Sequence, residues 1–204
     1  MALPALKPSL LEPGELAGLT VEQYHQMLET GILEDGDPIE LLDGLLVQKD
    51  RGGAGMTISP RHRLTVMALM RLDRFLADRG CHVMLQSPLT ILPKNEPEPD
   101  GMIVQGEPAR YRDRHPGPEE VSCLIEVADS SLRRDRGWKQ RIYASAGIPQ
   151  YLILNLLENQ VECHESPEGE SYRVRQVLGP GEQVELLLPE GGGRLSVPVS
   201  TLLA

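Results

Sequence analysis

An apolar strand, a helix and a second apolar strand follow one another in the middle of the chain. Residues 121–128 read VSCLIEVA and residues 150–155 read QYLILN, and the helical segment 133–146 between them is closed by Gly147. A crossover helix between two consecutive strands of one sheet makes that pair parallel. The sequence therefore predicts an α/β fold in which these two strands lie side by side.

Capping and turn residues place further elements before this unit. Thr20 followed by Gln23 is a capping-box pattern, which predicts a short helix that ends at Gly31. The Asp-Gly pair within IELLDGLLV, residues 39–47, predicts a tight hairpin. The glycine-rich residues 50–58 are expected to form a mobile loop.

A long helix is predicted next, with Ser59 as its N-terminal cap, Pro60 in its first turn and Gly80 beyond its end. Its apolar positions follow helical spacing and indicate one face: Leu64, Met67, Met70 or Arg71, Phe75 and Leu76. Most of its arginines are expected on other faces.

The remaining pattern consists of short strands and turns. Strands are predicted at 81–86, 89–92 and 101–104, and an antiparallel meander at 160–188. The chain of 204 residues suits one domain. We therefore expect a flexible segment over 1–18 and a single α/β domain over 19–204, with a central mixed β-sheet flanked by helices and a C-terminal meander.

Charge is segregated along the chain. The net charge is −10, yet residues 51–79 carry six arginines against two aspartates, and residues 110–141 carry eight bases against six acids. Bulk charge argues against a protein that coats DNA or anionic membranes, but it leaves room for a local basic site. Arginine dominates the bases, which suits bidentate phosphate contacts, although genome composition would give the same bias.

The chain has no apolar run of about 18 residues, so no membrane span is expected. Its first residues also lack a signal-peptide pattern. Three cysteines, Cys81, Cys123 and Cys163, favour a reduced, cytoplasmic setting. Two of them precede a histidine, but adjacent strand residues point to opposite faces, which argues against zinc.

Three acidic residues, Glu40, Asp100 and Glu126, interrupt or border apolar strands. A carboxylate in a buried strand costs several kcal/mol, of the order of 3–5, unless a counter-charge compensates it. Carboxylates from neighbouring strands commonly bind Mg²⁺ or Mn²⁺. Each residue alone also has a plainer explanation: a salt bridge for Glu126, a turn for Asp100 and an exposed strand edge for Glu40.

The sequence resembles the Uma-type family of putative restriction endonucleases, in the PD-(D/E)xK nuclease superfamily. The specific matches are PEPDGMIV and CLIEVADSSLRRDRGWKQRIYASAGIPQYLILN, and IELLDGLLV and SPRHRL match more weakly. The resemblance covers roughly residues 20–165. It implies a restriction-endonuclease-like core and Mg²⁺-dependent hydrolysis of phosphodiester bonds in DNA.

The resemblance also implies roles for individual residues. Asp100 corresponds to the aspartate of the superfamily motif and Glu126 to the second acidic metal ligand; the Val127 carbonyl and Glu40 would complete the site. The superfamily lysine normally stands two residues after the second acid, where this chain has alanine. Lys139, in the following helix, is the matching residue. His62 matches a histidine of undefined role near the start of the long helix.

In this interpretation Lys139 orients or helps to deprotonate the attacking water, and it pairs with Asp135 four residues earlier. Four arginines of the same segment are expected to contact DNA phosphates, although they would equally suit a solvated face: Arg133, Arg134, Arg136 and Arg141. A homodimer is expected by analogy, because two DNA strands need two sites.

Two other functions remain open from the sequence. One is a catalytically inactive, nuclease-like scaffold that binds nucleic acid or a protein, which the alanine at the lysine position and the negative charge would allow. The other is a two-carboxylate hydrolase such as a glycosidase, against which the scarcity of aromatic residues counts.

Overall fold

The computed structural model describes residues 17–34, 36–49 and 59–203. The helices are α1 (Val21–Glu29), α2 (Pro60–Leu69), α3 (Asp73–Leu76), α4 (Leu132–Arg134), α5 (Gln140–Ser145) and α6 (Val199–Leu202). The strands are β1 (Ile39–Leu42), β2 (Leu45–Gln48), β3 (Cys81–Leu85), β4 (Gly101–Gln105), β5 (Val121–Ala128), β6 (Gln150–Asn155), β7 (Gln160–Glu168), β8 (Ser171–Leu178), β9 (Gln183–Leu187) and β10 (Arg194–Pro198).

A six-stranded mixed sheet with the order β3-β4-β5-β6-β7-β8 forms the centre of the fold. The pair β5–β6 is parallel, and its neighbours are antiparallel. The predicted α/β class with a mixed central sheet is thus confirmed, as is the parallel pair. Both β5 and β6 have the predicted bounds and are buried along their whole length.

Alternate residues of β5 enter two hydrophobic cores. Ile125 and Val127 pack with Leu69 and Leu72 on the side of α2. Leu124 packs with Tyr143 on the other side, toward α5. Because side chains alternate across a strand, Glu126 shares the α5 side with Leu124. The period-2 pattern of β5 therefore turns its one acidic side chain toward the crossover helix.

The predicted capped helix and hairpin are confirmed. The Thr20 side chain accepts from the Gln23 amide, and the Gln23 side chain accepts from the Thr20 amide. Asp43 and Gly44 both have positive φ at the hairpin turn, the conformation that an Asp-Gly pair tolerates. A Cβ on Gly44 would lie 2.9 Å from the Cα of Gly18, so the turn requires glycine there.

The segment 59–80 is helical with interruptions, and the predicted apolar face is wrong in most positions. Leu64, Met67, Met70 and Phe75 are between 45% and 59% exposed. The side that faces the sheet consists of smaller or branched residues: Thr65, Val66, Ala68, Leu69, Leu72 and Leu76. This side buries well because the short side chains allow the helix to pack closely on the sheet.

The crossover segment begins at Leu132 and contains a π-helical turn over Asp135–Lys139 before α5. Gly147 ends it with φ of +75°, as expected of a C-terminal glycine. The predicted strand at 89–92 is wrong, because Leu89 and Ile91 bond across their own loop to the carbonyls of Pro97 and Asn95.

The predicted meander is confirmed only for β7 and β8. The third expected strand, β9, leaves the large sheet and pairs with β10. The predicted loop at 50–58 lies outside the described residues, as does most of the N-terminal segment 1–18. Among the described residues, every helix is too short or too polar to cross a membrane.

Candidate active site

The centre of the candidate site is a contact between the sheet and the crossover helix. The Nζ atom of Lys139 donates to Oε1 of Glu126 at 2.8 Å, and the Tyr143 hydroxyl donates to the same oxygen at 2.7 Å. Both Lys139 and Glu126 are 4% exposed. A carboxylate at this depth is stabilised by a charged donor and a neutral donor together.

Glu40 joins this pair from the hairpin. Its Oε2 lies 3.1 Å from Nζ of Lys139 and accepts from the Glu98 amide at 3.2 Å. Its Oε1 is buried and has no hydrogen-bond partner within the part of the chain that the structure describes. A buried carboxylate oxygen with free lone pairs is a strong acceptor that still lacks a donor or a cation.

Asp100 borders this group from the start of β4. Its Oδ2 accepts from the Val127 amide at 2.8 Å, and its Oδ1 lies 3.2 Å from Nε2 of His62. The bond to Val127 places Asp100 beside the residue that follows Glu126 in β5. The structure thus brings Glu40, Glu126 and Lys139 into direct contact and links Asp100 to them through the strand backbone.

The cluster carries more negative than positive charge. Burial raises the pKa of Glu126 to about 8; the Lys139 ammonium opposes this rise, and the nearby carboxylates of Asp135, Asp100 and Glu40 add to it. Burial lowers the pKa of Lys139, but the charges of Glu126 and Glu40 outweigh this and hold it above its usual range. Lys139 is therefore an ammonium, and it faces Glu40 and Glu126, of which Glu126 has a raised pKa that favours a retained proton.

His62 belongs to the same charge network. Burial lowers its pKa, but the hydrogen bond and the charge of Asp100 more than compensate, so the pKa of the imidazole is raised overall. The ring is held at the first turn of α2, where the Ser59 side chain accepts from the His62 amide. The capping residue that begins the helix thus also fixes the histidine beside Asp100.

The carboxylate oxygens of the cluster are ligands of the type that a hard divalent cation prefers. Carboxylate oxygens are the preferred ligands of Mg²⁺, Oε1 of Glu40 has no hydrogen-bond partner among the described residues, and the acidic side chains outnumber the single lysine of the cluster. Within residues 17–34, 36–49 and 59–203, however, His, Cys, Asp and Glu side chains do not form a ready-made group of three or more metal ligands. The Lys139 ammonium occupies the position between Glu40 and Glu126.

The expected pair between Asp135 and Lys139 is not formed. Asp135 is buried and accepts from the Ser131 hydroxyl at 2.5 Å, whereas Lys139 binds the two glutamates. The π-helical turn over these five residues is the physical reason, because it changes the four-residue spacing on which the expectation depended.

Three of the four arginines expected to contact DNA have partners within the protein. Arg134 donates to the Gln48 carbonyl at 3.0 Å. Arg136 binds the buried Glu162 through Nε and Nη2, and Arg141 pairs with Asp43. Arg133 is exposed and makes no hydrogen bond or ion pair within the described residues. A phosphate contact by these four residues stays a prediction.

Sequence reasoning missed a second buried acid on the same sheet face. Glu162 in β7 is opposite Ile153 in β6, which is opposite Glu126 in β5. Its carboxylate is fully buried and binds Arg136, Asn155 and Arg175. The available signal was an acidic residue between Val161 and Cys163. As with Glu126, the acid interrupts an apolar strand.

A cavity of about 1090 Å³ is lined in part by Asp43 of the hairpin, and the residues that line it do not include Glu40, Glu126 or Lys139. Its wall contains His25, whose Nε2 lies 2.8 Å from the buried Glu96, and Thr90 donates to the same carboxylate at 2.8 Å. The cluster described above is instead a nearly closed polar core, so a substrate would approach it from the rim near Asp100 and His62.

Comparison with known proteins supports this description of the fold. The crystal structure of a putative nuclease belonging to DUF820 from Anabaena variabilis ATCC 29413 matches with a TM-score of 0.64 and 14% sequence identity, over 91% of this chain and 97% of that one. No curated protein matches the chain. The Uma2 family profile, described as putative restriction endonuclease, matches residues 21–198. Because that match spans most of the sequence, the chain belongs to the Uma2 family of putative restriction endonucleases.

Proposed function

We propose that the protein is a metal-dependent endonuclease that hydrolyses phosphodiester bonds of double-stranded DNA. Family membership and fold support a nuclease. The observation that carries the finer proposal is the convergence of Glu40 and Glu126 on Lys139, with Asp100 fixed beside them by the Val127 amide. Four separate elements supply these groups, which is typical of an assembled site rather than of a surface ion pair.

Restriction-endonuclease-like families generally use divalent metals, and Mg²⁺ or Mn²⁺ is the ion we propose. Asp100, Glu126, Glu40 and the Val127 carbonyl would hold it. When bound, such an ion supplies a nucleophilic water at neutral pH and neutralises charge on the phosphate. The unpartnered oxygen of Glu40 and the excess of carboxylates support this assignment.

The protein residues would do the remaining work. Lys139 keeps its proton, because two carboxylates raise its pKa, so it acts as a hydrogen-bond donor and a positive charge and not as a base. Its ammonium is fixed by Glu126 and Glu40 and needs little reorganisation. His62 contacts Asp100, and the raised pKa of its imidazole favours the protonated form beside that carboxylate.

Cleavage of supercoiled plasmid by the purified full-length chain tests this proposal. With Mg²⁺ or Mn²⁺ we expect nicking by the wild type and loss of nicking in Asp100→Asn and Glu126→Gln. Asp113→Asn, at an exposed aspartate, is the matched control and should cleave normally. Cleavage that persists in both site variants would show that the activity comes from elsewhere.

A second readout does not require activity. Trp138, the only tryptophan, precedes Lys139 and donates to Asp43 at 2.6 Å, so its fluorescence should report cation binding at the site. A ligand that binds only the folded state also raises the melting temperature. Neither signal should appear in Asp100→Asn or Glu126→Gln, and absence of both in the wild type would count against the metal site.

The inactive scaffold remains the second candidate, because Lys139 already satisfies two carboxylates as a structural ion pair. In that case DNA binding would survive EDTA, and no metal would support cleavage. We also propose a cytoplasmic location, for which the three free cysteines are the support, and a homodimer. Size-exclusion chromatography with light scattering would test the dimer.

A further inference from the structure

The outer face of the segment 60–79 carries basic and apolar side chains that are exposed among the described residues. We define this outer face by seven exposed residues: Arg63, Leu64, Met67, Met70, Arg71, Arg74 and Phe75. They lie opposite the side that packs on the sheet. Because an exposed apolar helix face of this kind is unusual in a monomer, it indicates contact with another molecule.

The three arginines of the outer face are available for such a contact. Arg63, Arg71 and Arg74 make no hydrogen bond or ion pair within the described residues, whereas Arg134, Arg136 and Arg141 are engaged with backbone or acids of the protein. Arg74 lies 4.6 Å from the centroid of the Phe75 ring, a contact that leaves its donors free while holding it against the helix.

Acidic residues do little to neutralise this face. The Asp73 carboxylate accepts from the Val83 amide on the sheet side. Asp78 is exposed near the C-terminal end of the segment and is followed by the exposed Arg79. The outer face therefore remains positive in a chain whose net charge is −10. Such a local patch selects an acidic partner, because the rest of the surface repels it.

The same helix connects this face to the candidate site. Its first turn carries His62, which contacts Asp100. At about 1.5 Å of rise per residue, the arginines extend from the first turn to roughly 17 Å along the helix. That span is long enough to contact several successive phosphates of one DNA strand, which rise by about 3.4 Å each. A strand lying along the outer face would pass the first turn of α2, whose opposite side carries His62.

We propose that the outer face binds the phosphate backbone of the DNA substrate, with Arg63, Arg71 and Arg74 as the phosphate contacts. This inference rests on the proposed function and deepens it by naming the docking surface. Met67 and Leu64 would pack beneath the sugar edge of the strand, which explains apolar side chains between the arginines. Phosphate contacts of this type position DNA without reading its sequence.

The test compares two triple variants with the same change in charge. The first is Arg63→Gln/Arg71→Gln/Arg74→Gln. The control is Lys94→Gln/Arg112→Gln/Arg173→Gln, which removes three exposed charges elsewhere. Affinity for a labelled duplex of about 30 base pairs is measured in EDTA, so that cleavage cannot interfere, over about 50–200 mM salt.

We expect the first variant to bind at least about 10-fold more weakly and its salt slope to fall by about 2 to 3, since each phosphate contact contributes about 0.9. The control should stay within about 2-fold of the wild type, apart from bulk screening. Equal affinity of the two variants would overturn the inference. If, in addition, Leu64→Ser/Met67→Ser converts a dimer to a monomer, the face is an interface between copies of the chain.

Plasmid cleavage by the wild type separates this inference from the proposed function. If the wild type cleaves and the first variant keeps its affinity, the docking surface is wrong and the nuclease proposal stands. If the wild type neither binds nor cleaves DNA, both proposals fail. If the first variant loses binding and cleavage while the control keeps both, the outer face is the DNA-binding surface.

Discussion

The Lys139 ammonium lies 2.8 Å from the Glu126 carboxylate, although the two residues are 13 positions apart in the chain. The superfamily pattern named above expects a lysine two residues after the second acid, on the same strand. Here that position is Ala128, which is buried in the core with Leu124 and Tyr143. The π-helical turn of the crossover segment carries Lys139, whose amine reaches Glu126 in β5. In this structure the lysine that contacts Glu126 therefore comes from the crossover segment and not from β5.

Replacement of Lys139 by methionine tests how strongly this contact supports the fold. The change leaves Glu126 and Glu40 buried without their cation, a situation that costs about 3–5 kcal/mol. We expect the free energy of unfolding in urea to fall by about 3 kcal/mol, because Glu126 with its raised pKa can keep a proton and offset part of the loss. Lys94→Met, at an exposed lysine, is the control and should change little.

The double variant Lys139→Met/Glu126→Gln checks the cause of that loss. Removal of one negative charge should recover part of the stability, because the neutral amide can still accept from the Tyr143 hydroxyl. A double variant as unstable as the sum of the two single variants would mean that Lys139 acts through packing alone.

The stability of the protein should fall as the pH rises from 6.5 to 8. The pKa of Glu126 is raised to about 8 in the folded state, above its usual value of 4.5, so the folded state retains a proton that the unfolded chain has released. The stabilisation from this retained proton is complete below pH 4.5. It is lost as the pH rises toward 8, at up to about 1.4 kcal/mol per pH unit. Urea unfolding at several pH values measures the slope.

The range from pH 6.5 to 8 lies above the titration of His164, which changes the stability in the opposite direction. Burial lowers the pKa of His164 to about 4, so its contribution rises between pH 4 and 6.5 and is constant above. The raised pKa of His62 acts in the same direction as Glu126, and the comparison with Glu126→Gln removes it. A slope that is the same in the wild type and in Glu126→Gln would contradict the assignment.

The sequence was sufficient for the elements whose signals are local. Thr20 and Gln23 made their capping box, Asp43 and Gly44 made their turn, and β5 begins and ends at the predicted residues. These signals depend on backbone conformation and on the burial of one strand. Physical rules for caps and turns act within a few residues, so the sequence alone reveals them.

Features that depend on packing between distant elements were not predictable in this way. The apolar face of α2 was placed on large residues such as Met67, but the close approach of the helix to the sheet selects small ones such as Ala68. The π-helical turn near Asp135 has no signal in propensity. The ion pair between Glu162 and Arg136 joins β7 to the crossover segment. The sequence pattern of neither segment indicates that the two are in contact.

Gly101 should be sensitive to a single methyl group, because it is the point at which β4 faces Leu69 of α2. A Cβ at this position would lie 2.9 Å from Cδ1 of Leu69, which is fully buried. Gly101→Ala should therefore destabilise the protein by about 1–3 kcal/mol through overpacking. It should also reduce cleavage, because a shift of α2 moves His62 away from Asp100.

Gly137→Ala is the matched control for that prediction. A Cβ there would meet no atom of the described residues within 4 Å, and the residue lies inside the crossover segment. Alanine should stabilise such a position by about 0.5–1 kcal/mol. If both substitutions had the same effect in thermal unfolding, the space at Gly101 would not limit the approach of the helix.

Arg133 and Arg136 should behave in opposite ways although they are three residues apart. Arg136 holds the fully buried Glu162 through Nε and Nη2, so Arg136→Gln leaves that carboxylate with Arg175 and Asn155. Because its own side chain is 36% exposed, we expect a moderate loss of about 1–2 kcal/mol in urea unfolding. Arg133→Gln removes an exposed side chain and should leave stability within about 0.5 kcal/mol. If Arg133→Gln has an effect, it should lower the affinity for DNA and not the stability. A loss of stability equal to that of Arg136→Gln would contradict the structural role assigned to the Glu162 ion pair.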